Sequence, residues 1–268
     1  MYFNPLRLIL PGSILLLVIL EFRDDQFRKS WFQDRVRFRR NSSFLAASLL
    51  VMLLLPGINE HVSRHTVRLS DWGRFSLPEG GSCFLVAELL GWLLHYIKHH
   101  SQFLWYFHFQ HHRENQYNVW LPTHTHAFEV AASATLIAIT TRLLGFSAPA
   151  IETYLVFYSF AKVYQHSAHH YRLGLLDLLV ISPDYHRFHH RRDSRCNYGI
   201  SLTLFDVLFR TAKWPSSERQ DGELGFGLSA EGSYPFGFWD EMTYFVKAKG
   251  TVESDSGLDD PQSEHRAR

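Results

Sequence analysis

Histidines are concentrated in the middle of this 268-residue chain, at spacings that suit metal binding. Fourteen of the 17 histidines lie between positions 95 and 190. Most of them belong to four short boxes, which read HYIKH at 95–99, HFQHH at 108–112, HSAHH at 166–170 and HRFHH at 186–190. Positions i, i+3 and i+4 share one face of an α-helix, so each box can aim two or three imidazoles in one direction. Since imidazole is the commonest metal ligand among side chains, the boxes predict a metal site.

The number of imidazoles predicts two metal ions. A structural zinc takes four ligands and a catalytic zinc usually three, so ten histidines are too many for one ion. Two ions with about five ligands each keep an open position for water or oxygen, which iron or manganese accepts more readily than zinc. The prediction is therefore a dinuclear iron site. Its predicted ligands are His95, His99, His108, His111, His112, His166, His170, His186, His189 and His190.

Three further histidines are alternative ligands. His100 replaces His99 if the first box is read as H-x-x-x-x-H, and His169 competes with His170 in the third box. His126 follows the second box and is the third alternative. Four polar residues are candidates to orient the imidazoles through their non-ligating nitrogens, although ordinary polar contacts would explain them equally well. These residues are Glu88, Glu129, Asp193 and Asn197.

Composition and charge exclude several other classes of protein. With 46% hydrophobic and 15% aromatic residues, the chain is too apolar to be disordered. A formal net charge of +1 gives no indication of a nucleic-acid partner. The two cysteines, Cys83 and Cys196, form no C-x-x-C motif, so we expect unpaired thiols and no thiolate zinc site.

The elements that position the boxes are apolar segments of helical length. They cover residues 8–20, 42–58, 81–97, 127–141 and 143–161, and the last two read as a hairpin broken at Arg142, Gly145 and Pro149. The predicted fold is an all-α, polytopic helical membrane protein with about four to five membrane-embedded helices. Because some runs are short, a soluble protein with buried helices is the alternative.

The charge of the first loop predicts the orientation in the membrane. Residues 21–40 carry seven basic residues against four acidic ones, which places this loop on the cytoplasmic side. Alternation of the following segments then brings every histidine box to the same cytoplasmic face. We expect a catalytic domain over residues 1–212, a small cytoplasmic lobe over 213–248, and a disordered tail over 249–268.

The boxes and the segment that follows them resemble the fatty acid hydroxylase / sterol desaturase superfamily of membrane di-iron enzymes. The likeness extends from about position 5 to position 212 and includes SPDY before the fourth box, NYG at 197–199 and LFDVLFRT at 204–211. The resemblance implies a di-iron centre on the cytoplasmic side of a helical membrane protein. It also implies O2 as co-substrate, a lipid, sterol or fatty-acyl C–H bond as the target, and electrons from a partner reductase, ferredoxin or cytochrome.

The sequence departs from the family pattern at several places. Tyr96 stands where members usually carry Arg, and Glu88 stands where they often carry Asp. In the segment THTHAFE at 123–129, His126 matches a family histidine, whereas His124 falls on the family's Arg. These changes leave the predicted metal ligands in place. Hydroxylation and desaturation are both open, because both begin with the same hydrogen abstraction.

Two functions without oxygen chemistry are the alternatives. A zinc-dependent membrane hydrolase would keep the metal, but the H-E-x-x-H motif of one large class of zinc hydrolases is absent from the sequence. A membrane metal transporter or metal-binding scaffold would need polar residues through the depth of its spans. Here the boxes lie at one end of the apolar segments.

Overall fold

The computed structural model describes residues 15–23, 39–47, 50, 67, 69, 72, 76–113, 117–191, 194–214 and 237–243. Helices are the main elements in these ranges, which contain no named strand, and Val180 and Leu202 form an isolated antiparallel bridge. The prediction of a mainly helical fold is confirmed for this part of the chain. Residues 15–22 and 39–47 are helical, and the labels α1 to α7 are given to the helices that follow them.

Helix α1 is the central element, and it runs from Leu77 to His100. Its N-terminus is capped by Ser76, whose side chain accepts a hydrogen bond from the backbone N–H of Glu79, and a proline occupies the first turn. At its other end, Ser101 adopts an extended conformation, which ends the helix and lets a new one start. Helix α1 packs against four of the later helices and delivers the first histidine box at its C-terminal end.

The second and fourth boxes lie on two shorter helices. Helix α2 covers Gln102–Arg113 and begins directly after the break at Ser101. Helix α5 covers Pro183–His189, with Ser182 as its N-cap and His190 as its C-cap. Both boxes therefore have the helical spacing that the sequence predicts.

The predicted hairpin is formed by helices α3, Ala127–Leu143, and α4, Ala148–Gln165. The chain turns between them at Gly145, whose φ of 80° lies in the left-handed region that favours glycine. Ser147 then caps α4 by accepting a hydrogen bond from the N–H of Ala150. Short 3-10 helices occur at Leu121–Thr123 and Gly174–Leu178, and the short helices α6, Leu204–Leu208, and α7, Phe238–Met242, complete the described elements.

Helix α1 has its polar residues inside and apolar residues outside. Glu88, His95 and His99 are buried, although a soluble helix would usually turn such residues to water. On the opposite face, leucines or isoleucine recur every four residues and are 37–46% exposed, namely Leu85, Leu89, Leu93 and Ile97. This arrangement fits an apolar surrounding.

One described helix, α1, is long and apolar enough to cross a membrane by its length and composition. It contains the predicted segment 81–97, and the hairpin helices contain 17 and 18 residues. The predicted segments 8–20 and 42–58, the lobe 213–248 and the loop 21–40 are described only in part, and the tail 249–268 lies outside the described residues. The predicted count of four to five embedded helices stays a prediction.

Candidate metal centre

Nine of the ten predicted ligands come together in two adjoining groups. The five-histidine group and the four-histidine group each have their ligand nitrogens within 4.8 Å of one another, and all nine residues are buried. The five-histidine group consists of His95, His99, His108, His112 and His189. The four-histidine group consists of His111, His166, His186 and His190.

Helical geometry explains how one box serves both groups. On α2, His108 and His112 are one turn apart and face the end of α1, whereas His111 is rotated away from them toward α4. The same division occurs in the fourth box, where His189 joins one group while His186 and His190 join the other. The groups adjoin closely, since the rings of His112 and His190 are stacked with centroids 4.3 Å apart.

The Nε2 atoms in each group are turned toward one another. In the five-histidine group, the Nε2 of His108 lies 3.1 Å from that of His95 and 3.1 Å from that of His112. In the four-histidine group, the Nε2 of His166 lies 3.1 Å from that of His111 and 3.1 Å from that of His186. Nitrogens about 2.1 Å from one ion and at right angles to each other would be about 3.0 Å apart, so these separations fit shared coordination.

A buried nitrogen without a partner supports the same conclusion. The Nε2 of His99 has no hydrogen-bond partner among the described residues, although it is buried at the five-histidine group. An unsatisfied buried polar atom is costly, and a metal ion would satisfy it. The donor set therefore fits two metal ions that accept imidazole, which include iron.

Four of the imidazoles are oriented through their other ring nitrogen. The Nδ1 atoms of His95, His166 and His189 lie 2.9, 2.7 and 2.8 Å from the backbone carbonyl oxygens of Tyr198, Lys162 and Cys196. The Nδ1 of His108 lies 3.0 Å from Oε1 of Glu129. Because Nδ1–H donates to these oxygens, Nε2 keeps its lone pair for a metal.

Burial keeps the imidazoles of the centre neutral. It lowers the pKa of His166 and of His189 to about 3. Burial is also the main cause that holds the pKa of His111, His112 and His190 well below its usual range, and neighbouring imidazoles add to the effect. A neutral imidazole is the form that binds a metal, so at pH 7 these ligands need not lose a proton first.

A cavity of about 450 Å³, including its open mouth, lies beside the two groups. Ligands of both groups line it, among them His95 and His166, and so does the side chain of Ile200. The remaining wall is polar and includes Lys98, Glu129, Lys162 and Gln165. A substrate in this cavity would contact both the metal ligands and the polar wall.

His170, the tenth predicted ligand, lies outside both groups. Its Nδ1 is hydrogen-bonded to the carboxylate of Asp184, and its Nε2 lies 3.2 Å from the guanidinium of Arg187. The cause is that α4 ends at Gln165, so the third box lacks the helical spacing expected for it. Beyond the helix, the carboxylate of Glu21 accepts hydrogen bonds from the Ser167 hydroxyl, at 2.8 Å, and from the Ala168 N–H.

The alternative ligands are also outside the groups. His100 is exposed and stacks on Tyr96, with its Nδ1 2.7 Å from the carbonyl oxygen of that residue. His126 caps α3 by accepting a hydrogen bond from the N–H of Phe128. The backbone N–H of His169 donates to the Ser167 hydroxyl, and its ring lies beside Tyr171.

The four predicted orienting residues have different positions. Glu129 contacts an imidazole, as described above, and also accepts a hydrogen bond of 2.8 Å from Lys98. Glu88 contacts no ligand directly and instead accepts hydrogen bonds from the backbone N–H groups of Ser201 and Leu202. Asn197 bonds to the backbone of Tyr185 and Lys213, and Asp193 lies outside the described residues.

Two buried carboxylates that support the centre were not predicted. Asp206 accepts hydrogen bonds of 2.8 Å from the N–H groups of Tyr198 and Gly199, and so holds the loop whose carbonyl orients His95. Glu241 lies 2.8 Å from Nε2 of His124 and 3.1 Å from the guanidinium of Arg113, at the end of α2. Asp206 stands in the LFDVLFRT segment of the resemblance, which is the available sequence signal, whereas Glu241 lies far from any box.

The described residues form a helical protein built around two adjoining groups of buried histidines that could each hold a metal ion. Residues 81–211 match the family model for fatty acid hydroxylases, a range that includes all nine grouped histidines. These residues therefore belong to the fatty acid hydroxylase superfamily, as the sequence predicted.

Similarity to individual relatives extends over about half of the chain. An alkylglycerol monooxygenase of Caenorhabditis elegans is 29% identical over 152 residues, which cover 54% of this chain and 28% of that protein. The ornithine lipid hydroxylase OlsE of Rhizobium tropici is 28% identical over 57% of this chain and 48% of its own length. A human alkylglycerol monooxygenase is 28% identical over 55% of this chain and 32% of its own length. The chain thus spans less than half of each relative, and no solved structure matches it significantly.

Proposed function

We propose that this protein is a membrane lipid hydroxylase whose two histidine groups hold two iron ions. The observation that carries the proposal is the convergence of nine buried imidazoles, through their Nε2 atoms, in two adjoining groups beside a cavity. When bound, the irons would supply the reduction of O2 and the oxidation of a substrate C–H bond. The similar proteins are named monooxygenase and hydroxylase, which favours hydroxylation over desaturation.

The residues of the chain would serve the reaction in three ways. The carbonyls of Tyr198 and Cys196 and the carboxylate of Glu129 hold imidazoles in the metal-binding orientation. The buried histidine groups exclude bulk water from the reacting atoms. The cavity positions one end of the lipid against the ligands of both groups.

The membrane setting and the partners belong to the same proposal. The exposed apolar stripe on α1 supports insertion in a bilayer, and the basic loop at 21–40 supports a metal centre that faces the cytoplasm. Electrons would come from a partner protein, namely a reductase, ferredoxin or cytochrome.

Metal analysis of the purified full-length protein tests the identity of the ions. We expect about two irons per chain after expression with iron or after anaerobic reconstitution. One zinc per chain that persists after iron reconstitution would contradict the proposal, and would favour a metal-dependent hydrolase instead.

A pair of adjacent histidines tests the site. His99→Ala removes a buried member of the five-histidine group, whereas His100→Ala removes an exposed ring that lies outside both groups. We expect His99→Ala to lower the iron content and to abolish O2-dependent lipid hydroxylation, measured by mass spectrometry of membrane lipids. His100→Ala should retain iron and hydroxylated product, and equal behaviour of the two variants would refute the assignment.

A further inference from the structure

The wall of the cavity contains a cation that no described residue neutralises. Lys162 lies in the last turn of α4, one turn before His166, and lines the cavity. Among the residues that the structure describes, its ammonium group has no hydrogen-bond or ion-pair partner. Lys98, the other lysine of the wall, is engaged by Glu129 at 2.8 Å and by Ser133 at 3.1 Å.

A buried acceptor beside Lys162 also lacks a partner. Gln165 is only 4% exposed and lines the same cavity, and its Oε1 atom has no hydrogen-bond partner among the described residues. Leaving such an atom unsatisfied is costly, so the site is complete only when a ligand or water supplies a donor. The two groups are three residues apart on α4, and both belong to the wall next to the four-histidine group.

The charges of the wall favour a negative ligand. Two lysines and one glutamate line the cavity, so the wall has one more cationic than anionic side chain. Lys162 lines the same cavity as His111 and His166, so this charge lies beside the four-histidine group. Metal ions in the two groups would make the potential more positive still.

We infer that Lys162 and Gln165 bind the polar end of an anionic lipid, with Lys162 contacting a carboxylate or phosphate oxygen. Gln165 accepts a hydrogen bond from a hydroxyl, amide or ammonium group of the same headgroup. This inference rests on the proposed function and specifies the substrate class of its site.

The short distance between Lys162 and the histidines determines which carbon of the lipid is oxidised. Lys162 and His166 are four residues apart, which is about 6 Å along the axis of α4. A headgroup bound by Lys162 therefore holds only the nearest few carbons of the lipid beside the histidines. The hydroxylated carbon lies close to the headgroup and not near the methyl end of an acyl chain.

Matched lipids and matched variants of the full-length, iron-loaded protein test this inference. The lipids are dioctanoyl phosphatidic acid, dioctanoylglycerol as its neutral counterpart, and an acylated amino acid with a free carboxylate. The variants are Lys162→Met, Lys162→Arg and Lys213→Met, the last of which makes the same change at an exposed lysine outside the cavity. Equilibrium binding in detergent is measured for each lipid, and so are the KM and kcat for O2-dependent oxidation with a reductant supplied as the source of electrons.

We expect the wild-type protein to bind at least one of the two anionic lipids about 10-fold or more tightly than the neutral one, as for a charged hydrogen bond. Lys162→Met should remove this preference by raising the Kd and KM of the anionic lipid, with the kcat little changed. Lys162→Arg should retain most of the preference, and Lys213→Met all of it. The anionic lipid that is preferred identifies the oxyanion.

Equal wild-type binding of charged and neutral lipids would overturn the inference, and so would an undiminished preference in Lys162→Met. In either case, oxidation of any of the lipids by the wild-type protein would leave the proposed hydroxylase function intact. Conversely, a Lys162-dependent binding preference without any oxidation would support the inference and contradict the proposed function.

Discussion

His99 and His100 are adjacent on helix α1 but have opposite environments. Successive side chains of a helix point in different directions, so only one of the two faces the metal centre. His99 follows His95 by one turn and is buried in the five-histidine group, whereas His100 is exposed and stacks on Tyr96. The sequence left the choice between them open. The helical continuation of α1 through His100 decides it, because only the i, i+4 pair shares a face.

Glu129 provides the prediction at the scale of the single residue. Glu129→Gln keeps the shape of the side chain but removes the charge that faces Nδ1 of His108 and the ammonium of Lys98. Loss of such an outer partner typically lowers metal affinity by about 10–100-fold, and we expect a loss in this range for iron. Competition with a chelator of known affinity measures it.

Ser133→Ala is the control for Glu129→Gln. It removes only the 3.1 Å contact between Lys98 and the Ser133 hydroxyl and leaves the histidine contact unchanged. Its iron affinity should stay within about 3-fold of wild type. Equal affinities of Glu129→Gln and wild type would show that the carboxylate does not act through His108.

At the scale of the element, the boxes that lie on helices were predictable and the third box was not. The periodicity of α2 and α5 brings His108, His111 and His112, and then His186 and His189, to the places that the pattern indicates. The third box leaves the helix because a carboxylate 146 residues earlier in the chain, Glu21, bonds to Ser167. A local pattern contains no information about such a distant partner. The orienting carbonyls of Tyr198 and Cys196 were equally unpredictable, since every residue has a carbonyl group.

The prediction at the scale of the element concerns the tight packing around Gly199, in the loop after α5. A Cβ atom at Gly199 would lie 2.6 Å from the carbonyl oxygen of Leu202 and 2.9 Å from a carboxylate oxygen of Asp206. Asp206 is held by its bonds to the Tyr198 and Gly199 N–H groups and cannot withdraw freely. We expect Gly199→Ala to lower the free energy of unfolding by about 1–3 kcal/mol and to reduce iron content.

Gly81→Ala is the matched control, because a Cβ atom there meets nothing within 4 Å and the residue lies inside helix α1. Alanine is the better helix former by about 1 kcal/mol, so this variant should unfold at the same or a higher temperature than wild type. Thermal unfolding in detergent, followed by circular dichroism, compares the two. A Gly199→Ala protein as stable as Gly81→Ala would contradict the packing argument.

At the scale of the whole molecule, segments far apart in sequence surround the α2 helix. Helix α7 brings Glu241 to Arg113 and His124, and the helical residues 39–47 bring Phe44 to within 4.5 Å of the His124 ring, measured between centroids. Glu241 is 1% exposed, so these contacts form a buried polar network. Helix α2, which carries the second histidine box, is thus supported by contacts with residues that lie outside the matched range 81–211.

The prediction at the scale of the whole molecule concerns the buried carboxylate of Glu241. Glu241→Ala removes the buried carboxylate that is bonded to the guanidinium of Arg113 and the ring of His124, and we expect a loss of about 2–4 kcal/mol in stability. The iron content should fall too, because α2 supplies three ligands. Trp239→Ala changes a side chain of the same helix that is 76% exposed and should alter neither quantity. Unfolding in denaturant together with metal analysis tests both variants, and wild-type stability of Glu241→Ala would refute the role of α7.

Helix α1 makes contacts with residues far later in the sequence, and this affects when the metal site can form during synthesis. Glu88 and His95 become fully bonded only through Ser201 and the carbonyl of Tyr198, more than 100 residues later in the chain. A nascent chain that has delivered α1 to the membrane therefore carries a half-built centre until the segment around 186–206 has been translated. Under the proposed function, iron would be loaded after synthesis of that segment, and ribosome-bound chains arrested before it should bind no stable pair of ions.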